Sequence, residues 1–207
     1  MQQHTSIHLT TATKITLLRI LGIPVFILMV IYYKIGLAAG DPQEYQRYIA
    51  LLLFVLIALT DALDGYLARV RDEVTRLGAI LDPIADKALL LSALILLTRP
   101  SLPALQPQIP VFFALLIISR DVVLIAGAYL INWMTGHVEI RPRISGKIAT
   151  VLQMICIAWV LADGHVKSFM VLVWVATAFT ALSFIQYLRD GIHQLEKQPS
   201  SSGYGEV

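Results

Sequence analysis

Six apolar runs, each close to the roughly 20 residues that a helix needs to cross a bilayer, leave this chain few ways to fold. They fall near residues 15–33, 48–68, 77–98, 109–133, 144–162 and 168–188 of the 207. A backbone inside hydrocarbon must satisfy its own hydrogen bonds, so each run reads as a helix. Composition agrees: 57% of residues are hydrophobic and 14% charged, where a soluble domain carries about 25% charged residues. The expected fold class is an all-α integral membrane protein with six transmembrane helices. The net charge of +2 implies no nucleic-acid partner. One cysteine, Cys156, allows no intrachain disulfide and no cysteine-based metal site.

Breaks between the runs are legible. Gly40-Asp41-Pro42 separates the first two, Val70 to Arg76 makes a polar loop after the second, Arg99-Pro100-Ser101-Leu102-Pro103 follows the third, and Asp163-Gly164-His165 precedes the last. The expected organisation is a stub over 1–10, one membrane domain over 11–190 and a disordered tail over 191–207. The first ten residues lack the basic start of a cleaved signal peptide, so the first run is expected to be kept as a span. Lys and Arg divide unevenly between the two sides. Ten (Lys14, Arg19, Arg69, Arg71, Arg76, Arg141, Arg143, Lys147, Arg189 and Lys197) face four (Lys34, Arg47, Arg99 and Lys167). By the positive-inside bias the first side, with both termini, is cytosolic. The expected location is the inner membrane of a bacterium, with a polar cavity opening to the cytosol.

Within this greasy frame lie four carboxylates, Asp61, Asp64, Asp82 and Asp86. Each costs at least about 2.5–3.5 kcal/mol at membrane depth, so they need a compensating partner. At about 100° per residue, Asp61, Asp64, Gly65, Ala68 and Arg69 share one helix face, and Gly78, Asp82 and Asp86 share a face of the next. Two antiparallel helices can turn those faces together. Oxygen-only ligands suit hard divalent cations, and Mg²⁺ combines carboxylates with substrate phosphates. Four aspartates could hold two ions, an arrangement used for displacement at phosphorus. Gly65 and Gly78 leave room for a ligand near the backbone. Arg69 can bridge phosphate oxygens.

The segment Asp61-x2-Asp64-Gly65-x2-Ala68-Arg69-x8-Gly78-x3-Asp82-x3-Asp86 resembles, at every fixed position, the signature of the CDP-alcohol phosphotransferases. The resemblance implies six transmembrane helices, a homodimer and dependence on Mg²⁺ or Mn²⁺, with two ions. It implies an alcohol attacking the β-phosphorus of a CDP-linked lipid and releasing CMP. By the same resemblance Asp61, Asp64 and Asp82 are metal ligands. Asp86 is a ligand that also takes the acceptor's proton, and so is the catalytic residue. Gly65, Ala68, Arg69 and Gly78 form the nucleotide and diphosphate site.

The acceptor is read from other segments. Thr13 to Arg19 with Pro24 resembles the N-terminal stretch of the phosphatidylglycerophosphate synthase and CMP-forming cardiolipin synthase branch, with Thr13 where that branch has Asn. Gly146-Lys147-x2-Thr150-x2-Gln153 resembles its Gly-Lys-x2-Thr-x2-Gln motif, and Lys147, Thr150 and Gln153 are read as sharing a helix face. Arg120, inside the fourth run, is read as facing an anionic acceptor, because its neighbour Asp121 is one residue away and adjacent helical residues do not face each other. Arg141, Arg143, Lys147 and Thr150 complete the acceptor set. The expected reaction joins CDP-diacylglycerol to sn-glycerol 3-phosphate. Ser119-Arg120-Asp121-Val122 and Ala176 to Ser183 lean instead towards phosphatidylglycerol as acceptor, giving cardiolipin. A proton or cation carrier would explain buried carboxylates but not Gly65, Arg69 and Gly78 in register with them. A catalytically silent relative would not need all four aspartates.

Overall fold

The computed structural model describes residues 11–71, 76–99, 105–135 and 143–196; within these, side chains at 11–17, 61–71, 76–83, 86, 134–135 and 193–196 are outside the description. Six helices appear in chain order: α1 Thr11–Ala39, α2 Glu44–Arg71, α3 Arg76–Thr98, α4 Val111–Thr135, α5 Ile144–Leu161 and α6 Val166–Glu196. Each expected run is helical, and the described residues contain no strand. Four helices have stretches long and apolar enough to cross a membrane among the described residues: Leu18–Ala39, Val111–Trp133, Ile144–Leu161 and Val166–Ile192. In α3 the described apolar stretch is the shorter Lys87–Thr98. α2 and α3 carry the aspartates, and charge lowers their mean hydropathy. α6 runs to Glu196, past the expected boundary at 190, because nothing stops the helix before Pro199.

The chain divides into two compact units, residues 1–109 with 154–166, and residues 110–153 with 167–207. In the first, α1, α2 and α3 pack on one another. Their buried residues recur at the three- and four-residue spacing of a single helix face: Ile23, Phe26, Val30 and Tyr33 on α1; Arg47, Ala50, Phe54 and Ile57 on α2; Leu89, Leu90, Ala93, Leu94 and Leu97 on α3. Phe26 meets Phe54 with ring centroids 5.8 Å apart. A Cβ at Gly22 would stand 3.1 Å from Ile57 Cδ1, so the missing side chain sets how closely α1 approaches α2. Large apolar residues such as Leu21, Leu28, Leu52, Leu56, Ile125 and Trp133 are exposed. A soluble surface rarely tolerates such continuous apolar faces. Lipid does, and there helices associate through packing and hydrogen bonds instead of apolar transfer. The chain is an all-α integral membrane protein.

Helix ends in the first unit are closed by buried cations. α1 stops in a Schellman turn: Gly40, at φ +78°, donates to Leu37 O at 3.4 Å, and Asp41 donates to Gly36 O at 3.0 Å. α5 ends likewise, with Asp163 at φ 59° and Gly164 N donating to Trp159 O at 3.0 Å. Arg47 reaches the last carbonyls there, with Nε to Leu161 O at 2.8 Å and Nη2 to Val160 O at 2.9 Å and to Asp163 Oδ1 at 3.0 Å; Val160 O also accepts from Asp163 N at 3.3 Å. Lys34 is fully buried and donates to Leu96 O at 2.6 Å in the last turn of α3. Cations at helix C-termini answer both the orphan carbonyls and the helix dipole. Lys34 and Arg47 therefore differ from the loop charges that the sequence tally made them. They act as caps inside the fold.

Candidate active site

The backbone carries all eight signature positions on helix: Asp61, Asp64, Gly65, Ala68 and Arg69 in the last turns of α2, and Gly78, Asp82 and Asp86 in the first turns of α3. Their side chains lie outside the described residues. Register still relates them to what is described. On α2 the buried series Arg47, Ala50, Phe54, Ile57 steps next onto position 61, then 64 and 68. On α3 the series Leu97, Leu94 or Ala93, Leu90 or Leu89 steps back onto position 86 and then 82. The stripe that is core in one half of each helix thus becomes carboxylate in the other half. No group of three His, Cys, Asp or Glu able to hold a metal occurs among the described residues. The donor set at 61, 64, 82 and 86 is entirely hard oxygen, which fits Mg²⁺ or Mn²⁺.

α1 adds a residue that the sequence reading left outside its site. Arg19 is 3% exposed, although it sits within an apolar span. α1 and α2 run antiparallel through the Phe26–Phe54 and Gly22–Ile57 contacts. One more turn along that pairing brings Arg19 level with position 61. The signal was available: Arg19 belongs to the same buried series as Ile23, Phe26 and Val30.

The second unit holds most of the residues expected to meet the acceptor, and it corrects two expectations. Arg120 and Asp121 do face each other: Nη1 lies 2.9 Å from Asp121 Oδ1, and both residues are buried. The spacing rule concerns Cβ directions, and a long Arg side chain can curl past it. Away from water the attraction between opposite charges is strong enough to hold that curl. Arg120 Nη2 also donates to Ser183 Oγ on α6 at 3.0 Å, and its guanidinium lies 5.8 Å from the Tyr187 ring centroid. The second correction concerns α5. Lys147 is exposed, Thr150 is half-buried and Gln153 is buried. Six residues turn a helix by about 600°, which sets Lys147 and Gln153 about 120° apart, not on one face.

The residues of the α5 motif take separate tasks. Gln153 Nε2 donates to Thr180 Oγ1 at 3.0 Å. Thr150 Oγ1 donates to Gly146 O at 3.1 Å within its own helix. Gly146 lies against the Arg120 guanidinium. Ser145 Oγ donates to Gln186 Oε1 at 2.6 Å. Arg143 holds Asp190 through two bonds, Nε at 2.7 Å and Nη2 at 2.5 Å, and the carboxylate raises the guanidinium pKa further above its ordinary value. Arg141 lies outside the described residues. The structure therefore brings Arg120, Gly146 and Ser183 together, while Lys147, next to Gly146 in the chain, is exposed.

The sequence model of the CDP-alcohol phosphatidyltransferase family matches residues 9–182. The chain is 34% identical over 191 residues to CDP-diacylglycerol–glycerol-3-phosphate 3-phosphatidyltransferase of Escherichia coli K12, covering 85% of this chain and 91% of that protein. It matches proteins of the same name from Shigella sonnei and Shigella flexneri serotype 5b with the same identity and coverage.

Proposed function

This chain belongs to the CDP-alcohol phosphatidyltransferase family, and from that premise we propose that it transfers a phosphatidyl group from CDP-diacylglycerol to sn-glycerol 3-phosphate, releasing CMP and forming phosphatidylglycerophosphate. The observation that carries the reading is the similarity, over 85% of the chain, to relatives named for that reaction. The complete signature on α2 and α3 supports the reaction type.

In this reading the acceptor hydroxyl oxygen forms the new bond to the β-phosphorus. The bond from that phosphorus to the oxygen bridging to CMP breaks, and CMP leaves with the bridging oxygen. Asp86 takes the hydroxyl proton. Asp61, Asp64, Asp82 and Asp86 would hold two divalent ions, Mg²⁺ or Mn²⁺, which supply positive charge to the diphosphate when bound. Gly65, Ala68, Arg69 and Gly78 receive the nucleotide and diphosphate. Arg19, buried on α1 level with position 61, adds fixed positive charge in the same unit.

Arg120 is assigned to the acceptor phosphate: it is buried in an apolar span, and beyond its pair with Asp121 its Nε–H has no hydrogen-bond partner among the described residues. Lys147, Arg141, Arg143 and Thr150 stand as a secondary set. Among these, Arg143 would have to release Asp190 first, and Lys147 has no charged partner among the described residues to release. The enzyme is proposed to lie in the bacterial inner membrane as a homodimer, with termini and site on the cytosolic side. Burial takes Lys34 and Arg47 out of the four and Arg19 out of the ten, so the bias that supports that orientation persists.

The test is CMP release by purified protein in detergent–lipid micelles with CDP-diacylglycerol and Mg²⁺. Release with glycerol 3-phosphate and none with phosphatidylglycerol is expected. Release with phosphatidylglycerol alone would instead make the product cardiolipin.

A further inference from the structure

Arg120 is a buried cation framed from three helices of the second unit. Asp121 of α4 accepts from Nη1, and Ser183 of α6 accepts from Nη2. Tyr187, one turn beyond Ser183, lies beside the guanidinium. From α5, Gly146 completes the frame. A Cβ there would stand 3.2 Å from Arg120 Nη2, 3.2 Å from Ser183 Oγ and 3.5 Å from Tyr187 Cε2. No side chain larger than hydrogen fits at 146 without moving the guanidinium or its partner.

The frame leaves donors over. A guanidinium offers five N–H groups, and side-chain bonds of Arg120 account for two. Nε is buried and has no hydrogen-bond partner among the described residues. An unmet donor on a buried charge is costly, and a ligand oxygen reaching Nε would remove that cost. A guanidinium pinned at both Nη atoms cannot swing to meet a ligand. Holding both Nη atoms fixes where Nε–H points, so that it is set to donate to an oxygen of an anionic ligand.

Resting on the assignment of Arg120 to the acceptor, we propose that Ser183 and Gly146 are positioning residues, which set the Arg120 guanidinium so that its free Nε edge receives the phosphate of the acceptor alcohol. Ser183 does so by accepting from Nη2. Gly146 does so by leaving the space that the guanidinium occupies. Neither touches the substrate. Their effect belongs to capture of the phosphorylated alcohol and not to the nucleotide lipid.

Steady-state CMP release separates these roles. Glycerol 3-phosphate is varied at saturating CDP-diacylglycerol, and then the reverse. Ser183→Ala and Gly146→Ala are each expected to raise KM for glycerol 3-phosphate about tenfold, the scale of one hydrogen bond to a charged group. KM for CDP-diacylglycerol should stay within about twofold. Ser183→Thr, which keeps the hydroxyl, should recover most of the loss. Thr180→Val serves as the packing control. It breaks the Gln153–Thr180 bond between the same two helices without touching Arg120, and should lower the thermal midpoint while leaving both KM values alone.

Equal KM increases from Thr180→Val would overturn the proposal, because the effect would then be general loosening. Unchanged KM in Ser183→Ala and Gly146→Ala, with KM raised in Arg120→Lys, would overturn it while the acceptor assignment stands. Unchanged KM in Arg120→Lys as well would remove the assignment itself. If Gly146→Ala does not fold, Ser183→Ala and its Thr rescue decide the question.

Discussion

Replacing the Asp86 carboxylate with an amide changes almost no volume and removes a proton acceptor. Asp86→Asn should therefore lower CMP release by about a hundredfold or more, the usual range for losing a general base. Thermal unfolding in detergent should stay near the parent value; parental turnover in this variant would remove Asp86 from the chemistry. Gly164 tests the opposite kind of residue. The Trp159 indole, whose Nε1 donates to His165 O at 3.4 Å, occupies the space that any side chain at 164 would need. Gly164→Ala should cost about 1–3 kcal/mol through overpacking, seen as a lower thermal midpoint with both KM values unchanged. The aspartate signature was readable from sequence because spacing alone encodes it. The use of Gly164 was not, because nothing in Asp163-Gly164-His165 says that a tryptophan five positions earlier folds back over it.

At the scale of the helix, α2 shows how one periodic stripe serves two purposes. Its first half buries Arg47, Ala50, Phe54 and Ile57. Continued at the same period, the stripe carries Asp61 and Asp64. Packing in one half therefore holds the helical register of positions 61 and 64 in the other. Arg47 anchors the start of that helix to the end of α5. Arg47→Met should leave Leu161 O without its side-chain donor, at about 1–3 kcal/mol if no other replaces it, while Val160 O keeps Asp163 N at 3.3 Å. The expected result is a lowered thermal midpoint, rescued only in part by Arg47→Lys, since one ammonium does not reproduce the fork of a guanidinium. A midpoint unchanged in Arg47→Met would show that water already serves that carbonyl. Helix positions were legible from apolar runs, and the stops at Gly40 and Gly164 from turn residues. That Lys34 and Arg47 cap helices was not legible, because a charge near a span end reads the same whether it faces water or a carbonyl.

For the whole molecule, turnover should depend on added divalent metal. Exhaustive chelation of the purified enzyme should abolish CMP release, and either Mg²⁺ or Mn²⁺ should restore it. Full activity after exhaustive chelation would contradict the assignment of the four aspartates as ligands. The sequence by itself determined the all-helical membrane class, the six helices, the family and the spacing of its signature. These depend on period, length and residue type, which are local properties of a chain. It also suggested an acceptor set, and here locality failed. Lys147, Thr150 and Gln153 belong to one motif, yet they have three different environments. Arg120 and Asp121, adjacent in the chain and read as facing apart, close an ion pair. Only the tertiary structure decided that Gly146 and Ser183, from two other helices, frame Arg120. The reason is physical: the surroundings of a buried charge are set by whatever packs against it, and those residues lie far away in sequence.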